Sequence, residues 1–425
     1  MIFLLLLAFF PSPLRLGLGI NSSVCPARCK CSSEAITYCN RAGLRSLPRE
    51  IEASTVSLSL SNNFLRLLTA DAFNNLTFLN SLWLDHNNLT FLYPGAFKSL
   101  CSLRVLYLNR NSRLTYLHAH TFQGLRNLIS LDLSHCNLFE IHPLVFSHLL
   151  SLEVLDLTSN KLRYIPQAFR SLTSLTKLSL ERNNIEAIGK DSLKAMTTLQ
   201  DLNLRKNRIW TIQQDAFLQL DKLGVLDLGH NRLSDLPNQL FSGLSQLKTV
   251  HLEANRLTQI NCSLSSLHSL TKLYLNNNQI LSITGSAFSH LKELSFLHLN
   301  RNNLTQLSSR LLTELPKLRS VFLSHNPWQC DCGMLWFATW ILTYQGLIEG
   351  LHCAIPMVHN RSVLGPFAQD ALSHCTPPSG LIREDVCDGG PHSNRASCRP
   401  GAPQTLLCLL ITWWACLSVD SFLLR

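Results

Sequence analysis

The 425-residue chain has no uninterrupted apolar run of the ~20 residues that a membrane-spanning helix needs. Its two apolar stretches, Ile2 to Phe10 and Thr405 to Val419, are both shorter. It has no G-x-S-x-G, no H-E-x-x-H, no phosphate-binding glycine loop and no G-x-G-x-x-G. The nucleophile elbow, the zinc helix, the P-loop and the dinucleotide turn are therefore all missing. The 16 histidines are scattered, and the carboxylates do not pair outside repeat positions. No enzyme, catalytic residue, metal or cofactor is expected.

Acids are the scarcer charge, with 27 Asp+Glu against 37 Lys+Arg and a formal net charge of +10. That balance favours acidic partners or surfaces. Nucleic acid is not expected, because a secreted chain rarely meets any. Secretion is suggested by residues 1–19, where the apolar run is followed by Gly17 and Gly19 at the small positions before a cut. A basic n-region is missing. The C-terminal run 405–425 has no basic stop-transfer block after it, and small residues and a polar spacer precede it. Together these read as a glycosylphosphatidylinositol (GPI) signal whose tail is removed. Asp388 is the best attachment site and Asn394 the second; a single span and plain secretion are the alternatives.

What the chain has is a repeat. L-x-x-L-x-L-x-x-N recurs twelve times between 51 and 326, as in LNSLWLDHN (79–87) and LGVLDLGHN (223–231). The terminal polar residue falls at 63, 87, 111, 136, 160, 183, 207, 231, 255, 278, 302 and 326. The steps are 24, with 23 twice and 25 once; the 25-residue step ends at Cys136, the one position without asparagine. The pattern is that of a leucine-rich repeat solenoid, an α/β-type horseshoe with a parallel sheet on its concave face and an irregular or 3-10 convex side. In L-x-L the leucines point inward and the intervening residue outward. Each asparagine turns into the coil to satisfy loop backbone groups. The Ala72-Phe73, Ala96-Phe97, Ala216-Phe217 and Ala287-Phe288 pairs fill the convex side.

A solenoid must be closed at both ends. Residues 20–50 carry Cys25, Cys29, Cys31 and Cys39, and residues 327–376 carry Cys330, Cys332, Cys353 and Cys375 with Trp328, Trp336 and Trp340. Spacing alone leaves three connectivities per cluster open, and zinc binding is the competing use of such clusters. The clusters resemble the cysteine caps of extracellular leucine-rich repeat proteins. That resemblance implies first-to-third and second-to-fourth pairing: Cys25–Cys31, Cys29–Cys39, Cys330–Cys353 and Cys332–Cys375. A spacer, 377–404, leads to the tail. Outside the caps, Cys101 and Cys136 are expected to be buried small thiols. The states of Cys262, Cys387 and Cys398 stay open.

The outward rows are candidate binding surface. Between the strand leucines lie Trp83, Tyr107, Asp132, Asp156, Asp227, Tyr274 and Phe322, with aromatics toward the ends and acids in the middle. Just before the ladder position, eight of twelve residues are His, Arg or Lys, including Arg182 and Lys206. Exposed aromatics are the usual interface anchors, so this concave face is expected to carry a protein partner, the extracellular part of a membrane protein. Sequons at Asn75, Asn88, Asn261, Asn303 and Asn360 avoid the strand rows; Asn21 is a sixth, close to the cut.

The 25-residue step ending at a cysteine resembles two groups of anchored neuronal receptors, the Nogo-receptor and nyctalopin groups. PGAFKSL (94–100), YLHAHTF (116–122), LFEIHP (138–143) and LERNNIEAI (180–188) are similar to the nyctalopin group. That resemblance runs from the first cap through the second. It implies an extracellular scaffold at dendritic tips of retinal ON bipolar cells. There such a protein helps localise a melastatin-type cation channel under a metabotropic glutamate receptor, alongside other leucine-rich repeat proteins. A Nogo-type receptor for myelin or matrix ligands is the alternative. A lamprey-type variable lymphocyte antigen receptor is a further alternative, though the Thr/Pro-rich stalk usual in that group is not present, and the apolar tail disfavours a matrix proteoglycan. The segment after Cys375 is short for the nyctalopin group, which points to a paralogue.

Overall fold

The computed structural model describes residues 25–329, 332–350 and 353–355. The signal peptide, Cys330, Asn360, Cys375, Cys387, Cys398, the anchor sites and the tail lie outside the described residues.

Twelve three-residue strands, from Ser57–Ser59 to Ser320–Phe322, lie side by side in one parallel sheet. Register is set by the leucines: Leu202 pairs with Leu178 on one side and Leu226 on the other. All three are buried, while the residues flanking them are partly or fully exposed. Alternation of period two therefore turns one residue of each strand into the core and two outward. The sheet is extended at both ends by cap strands. Lys30–Ser32 pairs antiparallel with Ile36–Tyr38, which pairs parallel with Ser57–Ser59. At the far end Leu347–Glu349 pairs parallel with Ser320–Phe322. Those caps cover the open edges that a bare parallel sheet would present.

The first cap holds two disulfides, Cys25–Cys31 and Cys29–Cys39. In the second cap the buried Trp328 donates its indole N–H to the Leu323 carbonyl at 2.9 Å, and Trp336 donates to Leu307 at 3.1 Å. Trp340 stacks on Tyr344. Cys353 and Cys262 are both disulfide-bonded. Indole burial against the last coil gives it the apolar neighbour that every other coil has on both sides.

The opposite side of each coil is turns and short 3-10 segments such as Gln167–Ser171 and Cys262–Leu264. Stacked phenylalanine rings fill it: Phe73, Phe97, Phe122, Phe146 and Phe169 follow one another at centroid separations of 5.9 to 6.2 Å. One expectation fails here. Cys101 is exposed, not buried. It follows Leu100 in the convex turn, at the register position that puts Arg126 and Leu150 in solvent in the next coils. The leucines on either side of that turn take the core sites and leave this position outside.

The asparagine ladder fills every slot but one, and the exception explains the irregular step. The Asn207 amide donates to the carbonyls of Leu204 at 3.0 Å and of Leu180, one coil earlier, at 2.8 Å; its Oδ1 accepts the Ile185 N–H at 3.0 Å. The same three bonds recur at Asn87, Asn160, Asn231 and Asn302. Each leucine carbonyl is shared by two successive asparagines, but each loop N–H has a single acceptor. By register, Cys136 would have to accept from Leu114. The residue inserted after Asn111 instead closes a turn in which the Leu114 N–H donates to the Asn111 carbonyl at 2.9 Å. No acceptor is then needed at 136. The thiol, which is a weak donor, gives a bond to the Leu108 carbonyl at 3.5 Å. Insertion and cysteine are thus one local solution. Burial pushes the Cys136 thiol up to about 12, so it is inert as a nucleophile.

Candidate functional site

The three outward positions of each repeat are those before, between and after the two strand leucines. In the last four coils they gather aromatic rings. His251 stacks on Tyr274 with centroids 4.2 Å apart. Tyr274 meets Phe296 at 4.9 Å, Phe296 meets Phe322 at 5.2 Å, and His298 meets Phe322 at 5.0 Å. These five rings form one continuous patch, and all are partly exposed. Phe296, the position before the first strand leucine, joins Tyr274 to Phe322. Row-wise reading of the between-leucine position alone misses it. The signal is the alternation itself: Phe296 and His298 flank the buried Leu297 and share its outward side.

The patch is bordered by a charged cluster that the same reading overlooks. Arg205 and Glu253, both after the second strand leucine, are in direct contact, and Arg205 lies 3.5 Å from Asp227. The His251 Nδ1 lies 3.3 Å from Glu253 Oε2. Burial of Glu253 disfavours its charge, but the His251 and Arg205 contacts outweigh that and hold the carboxyl down at about 2. Burial also lowers the His298 imidazole, which keeps it neutral further into the acid range.

A pH dependence follows. Glu253 has a folded pKa below its ordinary 4.5, so its contribution to stability is complete above pH 4.5 and is lost as pH falls toward 2. The urea midpoint of the parent chain is expected to exceed that of Glu253→Gln by a constant margin above pH 5. The margin narrows between pH 4.5 and 2. A margin that stayed constant through that range would remove Glu253 from the stabilising cluster.

The other expected concave residues fall into separate groups. Trp83 and Tyr107 stack on adjacent strands at 6.0 Å, and Tyr107, the nearer, is seven coils from Tyr274, or about 34 Å at ~4.8 Å per strand. The acids in the middle do a local job. Asp132, Asp156 and Asp227 each accept the N–H two residues on, from Ser134, Thr158 and Gly229, all at 2.8 Å. These are Asx turns that end the strands. Burial raises Asp132, against the Ser134 bonds that lower it. Arg182 and Lys206 both reach Glu181, at 3.5 and 3.4 Å, so their charge is partly spent within the fold.

The whole row before the ladder position adopts left-handed backbone. From Asn62 to His325 its twelve φ angles lie between 52° and 58°. Asn and His tolerate that region better than most residues, which gives part of the composition of this row a backbone cause. Among the described residues no group of three His, Cys, Asp or Glu side chains is placed to hold a metal.

Comparison with known proteins agrees with this geometry. The leucine rich repeat model matches residues 54–112, 79–138, 102–162, 126–185, 197–257 and 268–327, together more than half of the chain. The chain belongs to the leucine-rich repeat family. It is 38% identical to nyctalopin of Mus musculus over 167 residues, 39% of this chain and 35% of the relative. It is 37% identical to reticulon-4 receptor-like 2 of Homo sapiens over 103 residues, 24% of each chain. It is 40% identical to leucine-rich repeat-containing G-protein coupled receptor 5A of Xenopus laevis over 96 residues, 22% of this chain and 11% of that one. The aligned segments therefore span about a third or less of these relatives' length. Among solved structures it is similar to a chain of the octameric complex of latrophilin 3, Unc5D and the leucine-rich repeat protein FLRT2. That match has a TM-score of 0.62 and 26% identity, over 78% of this chain and 94% of that one. A leucine-rich repeat protein of Leptospira interrogans matches with a TM-score of 0.62 and 29% identity, over 74% of this chain and 76% of that one. No helix among the described residues is long and apolar enough to cross a membrane.

Proposed function

We propose that the chain is a cell-surface, protein-binding scaffold of the nyctalopin kind, attached by a GPI anchor at Asp388 or Asn394. Its concave face binds the extracellular part of a membrane protein. In this reading the partner belongs to the postsynaptic complex of retinal ON bipolar cells, in which a metabotropic glutamate receptor controls a melastatin-type cation channel. The layout is a signal peptide, a first cap, twelve repeats, a second cap, a spacer and a removed tail. The observation that carries the proposal is the continuous patch of His251, Tyr274, Phe296, His298 and Phe322 on the outward side of the sheet. Partly exposed rings held rigidly by strand pairing are what an interface core requires. Similarity to nyctalopin supports the tissue and the partner class.

The second reading is a Nogo-type receptor, favoured by similarity to reticulon-4 receptor-like 2. Antibody staining of retina, before and after treatment with phosphatidylinositol-specific phospholipase C, separates the two. The proposal expects staining at bipolar-cell dendritic tips that the enzyme removes. Staining confined to brain myelin would transfer the chain to the second reading, and staining that resists the enzyme would reject the lipid anchor.

A further inference from the structure

The flank beside the concave sheet carries an unpaired cationic file. The residue directly after the ladder asparagine is arginine in three successive coils, Arg208, Arg232 and Arg256, and all three are exposed. Their backbone N–H groups donate to the carbonyls of Ile209, Leu233 and Ile185 one coil earlier, at 2.8 Å for Arg232 to Ile209, 2.9 Å for Arg256 to Leu233 and 2.9 Å for Arg208 to Ile185. That bonding stacks the three at equivalent points, about 5 Å apart as neighbouring strands are. Unlike Arg182 and Lys206, none has an ion-pair partner among the described residues.

A second observation lies on the same loop. Residues 207–210 alternate buried, exposed, buried, exposed, so Trp210 projects to the same side as Arg208. The indole is 59% exposed, which its coil does not require. In the two following coils its place is taken by Ser234 and Thr258, both exposed and small, which leaves a shallow track alongside the arginines. Two acids border the track: Glu186, one coil before Trp210, and Asp235, which accepts the Ser234 hydroxyl at 3.3 Å. Sequons occupy the position of Arg208 in two other coils, at Asn88 and Asn303, and none falls between 88 and 261.

We propose that this flank binds a sulfated glycosaminoglycan chain. The polymer lies along the solenoid with sulfates on the Arg208, Arg232 and Arg256 guanidiniums and a pyranose ring on the Trp210 indole. Guanidinium forks suit planar faces of oxyanions and hold them with directed pairs of hydrogen bonds. A regularly spaced file on a rigid solenoid suits a linear polymer that bears an anion on each unit. An exposed indole adds a flat apolar platform for a sugar ring, which an acidic peptide does not supply. The site is separate from the concave patch, so the two proposals fail independently.

The test displays the full chain on cells that make no glycosaminoglycan and measures binding of a labelled heparan sulfate oligosaccharide, with surface level read by antibody. Arg208→Ala/Arg232→Ala/Arg256→Ala is expected to weaken binding at least tenfold, and Trp210→Ala at least threefold. Arg301→Ala, in the row before the ladder asparagine rather than the one after it, is expected to leave it unchanged. Desulfated oligosaccharide is expected not to bind. Binding by the triple variant within twofold of the parent overturns the proposal. So does equal competition by poly-glutamate, which would reassign the flank to acidic peptides.

Discussion

Asn207→Ala is expected to lower the unfolding free energy by about 2–4 kcal/mol, whereas Cys136→Ala changes it by about 1 kcal/mol or less. Both positions are the same slot of the same ladder, and both are buried. The difference lies in what each removal orphans. Without the Asn207 side chain, the carbonyls of Leu180 and Leu204 keep one partner each, in Asn183 and Asn231. The Ile185 N–H loses its only acceptor, Asn207 Oδ1. A buried, unpaired N–H costs about 1–3 kcal/mol, and the vacated volume adds to it. Removing the Cys136 thiol orphans nothing: Leu114 donates to Asn111, and the Leu108 carbonyl keeps its 2.7 Å bond from Asn111. Urea midpoints of the two variants check this, with hydrogen exchange at Ile185 as the local readout. Exchange is used because long repeat arrays depart from two-state unfolding. Equal losses at the two positions would contradict the coupling between the insertion and the cysteine. Cys136→Asn is a further check: it brings an acceptor with no N–H to receive and is expected to give no gain.

Phe296→Ala/Phe322→Ala is expected to weaken partner binding by at least about 2 kcal/mol, roughly thirtyfold, because anchor residues at the centre of an interface carry costs of that size. Both rings lie on the outward side of the sheet, and the buried Leu297 and Val321, which occupy the first strand-leucine position of their coils, keep the core. The urea midpoint should therefore move much less than the affinity. The measurement is binding of the glutamate-receptor ectodomain, the member of the proposed complex tested first, to the cell-displayed chain, with Trp210→Ala as the control that leaves affinity unchanged. A fall in affinity for Trp210→Ala with none for the double variant would move the protein-binding site to the flank.

The fold was legible because its determinants are local and repeated. A leucine or valine at the buried strand position and an asparagine at eleven of the twelve ladder slots need only counting, and each does the same physical job coil after coil. The first cap was legible once its cysteine spacing was matched to a family. The site was less so. Reading the between-leucine row found Trp83, Tyr107, Tyr274 and Phe322, with His298 in the same row, but only the alternation across all three outward positions joins Phe296 to them. Asp132, Asp156 and Asp227 looked like an acidic binding stripe; each is occupied by a backbone N–H two residues away. Lys206 and Arg182 looked like a free ridge, and Glu181 holds both. Charge in a sequence is visible, but its partner one coil away is not.

The most direct test of the concave face as the proposed partner site is hydroxyl-radical footprinting of the full chain, alone and with the ectodomain of the glutamate receptor of the proposed complex. Protection of Tyr274, Phe296 and Phe322 on binding is the expected result, with Trp210 and Phe139, an exposed ring at the Trp210 position of an earlier coil, still reactive. Protection of Trp210 or Phe139 with the three concave rings unchanged would contradict it.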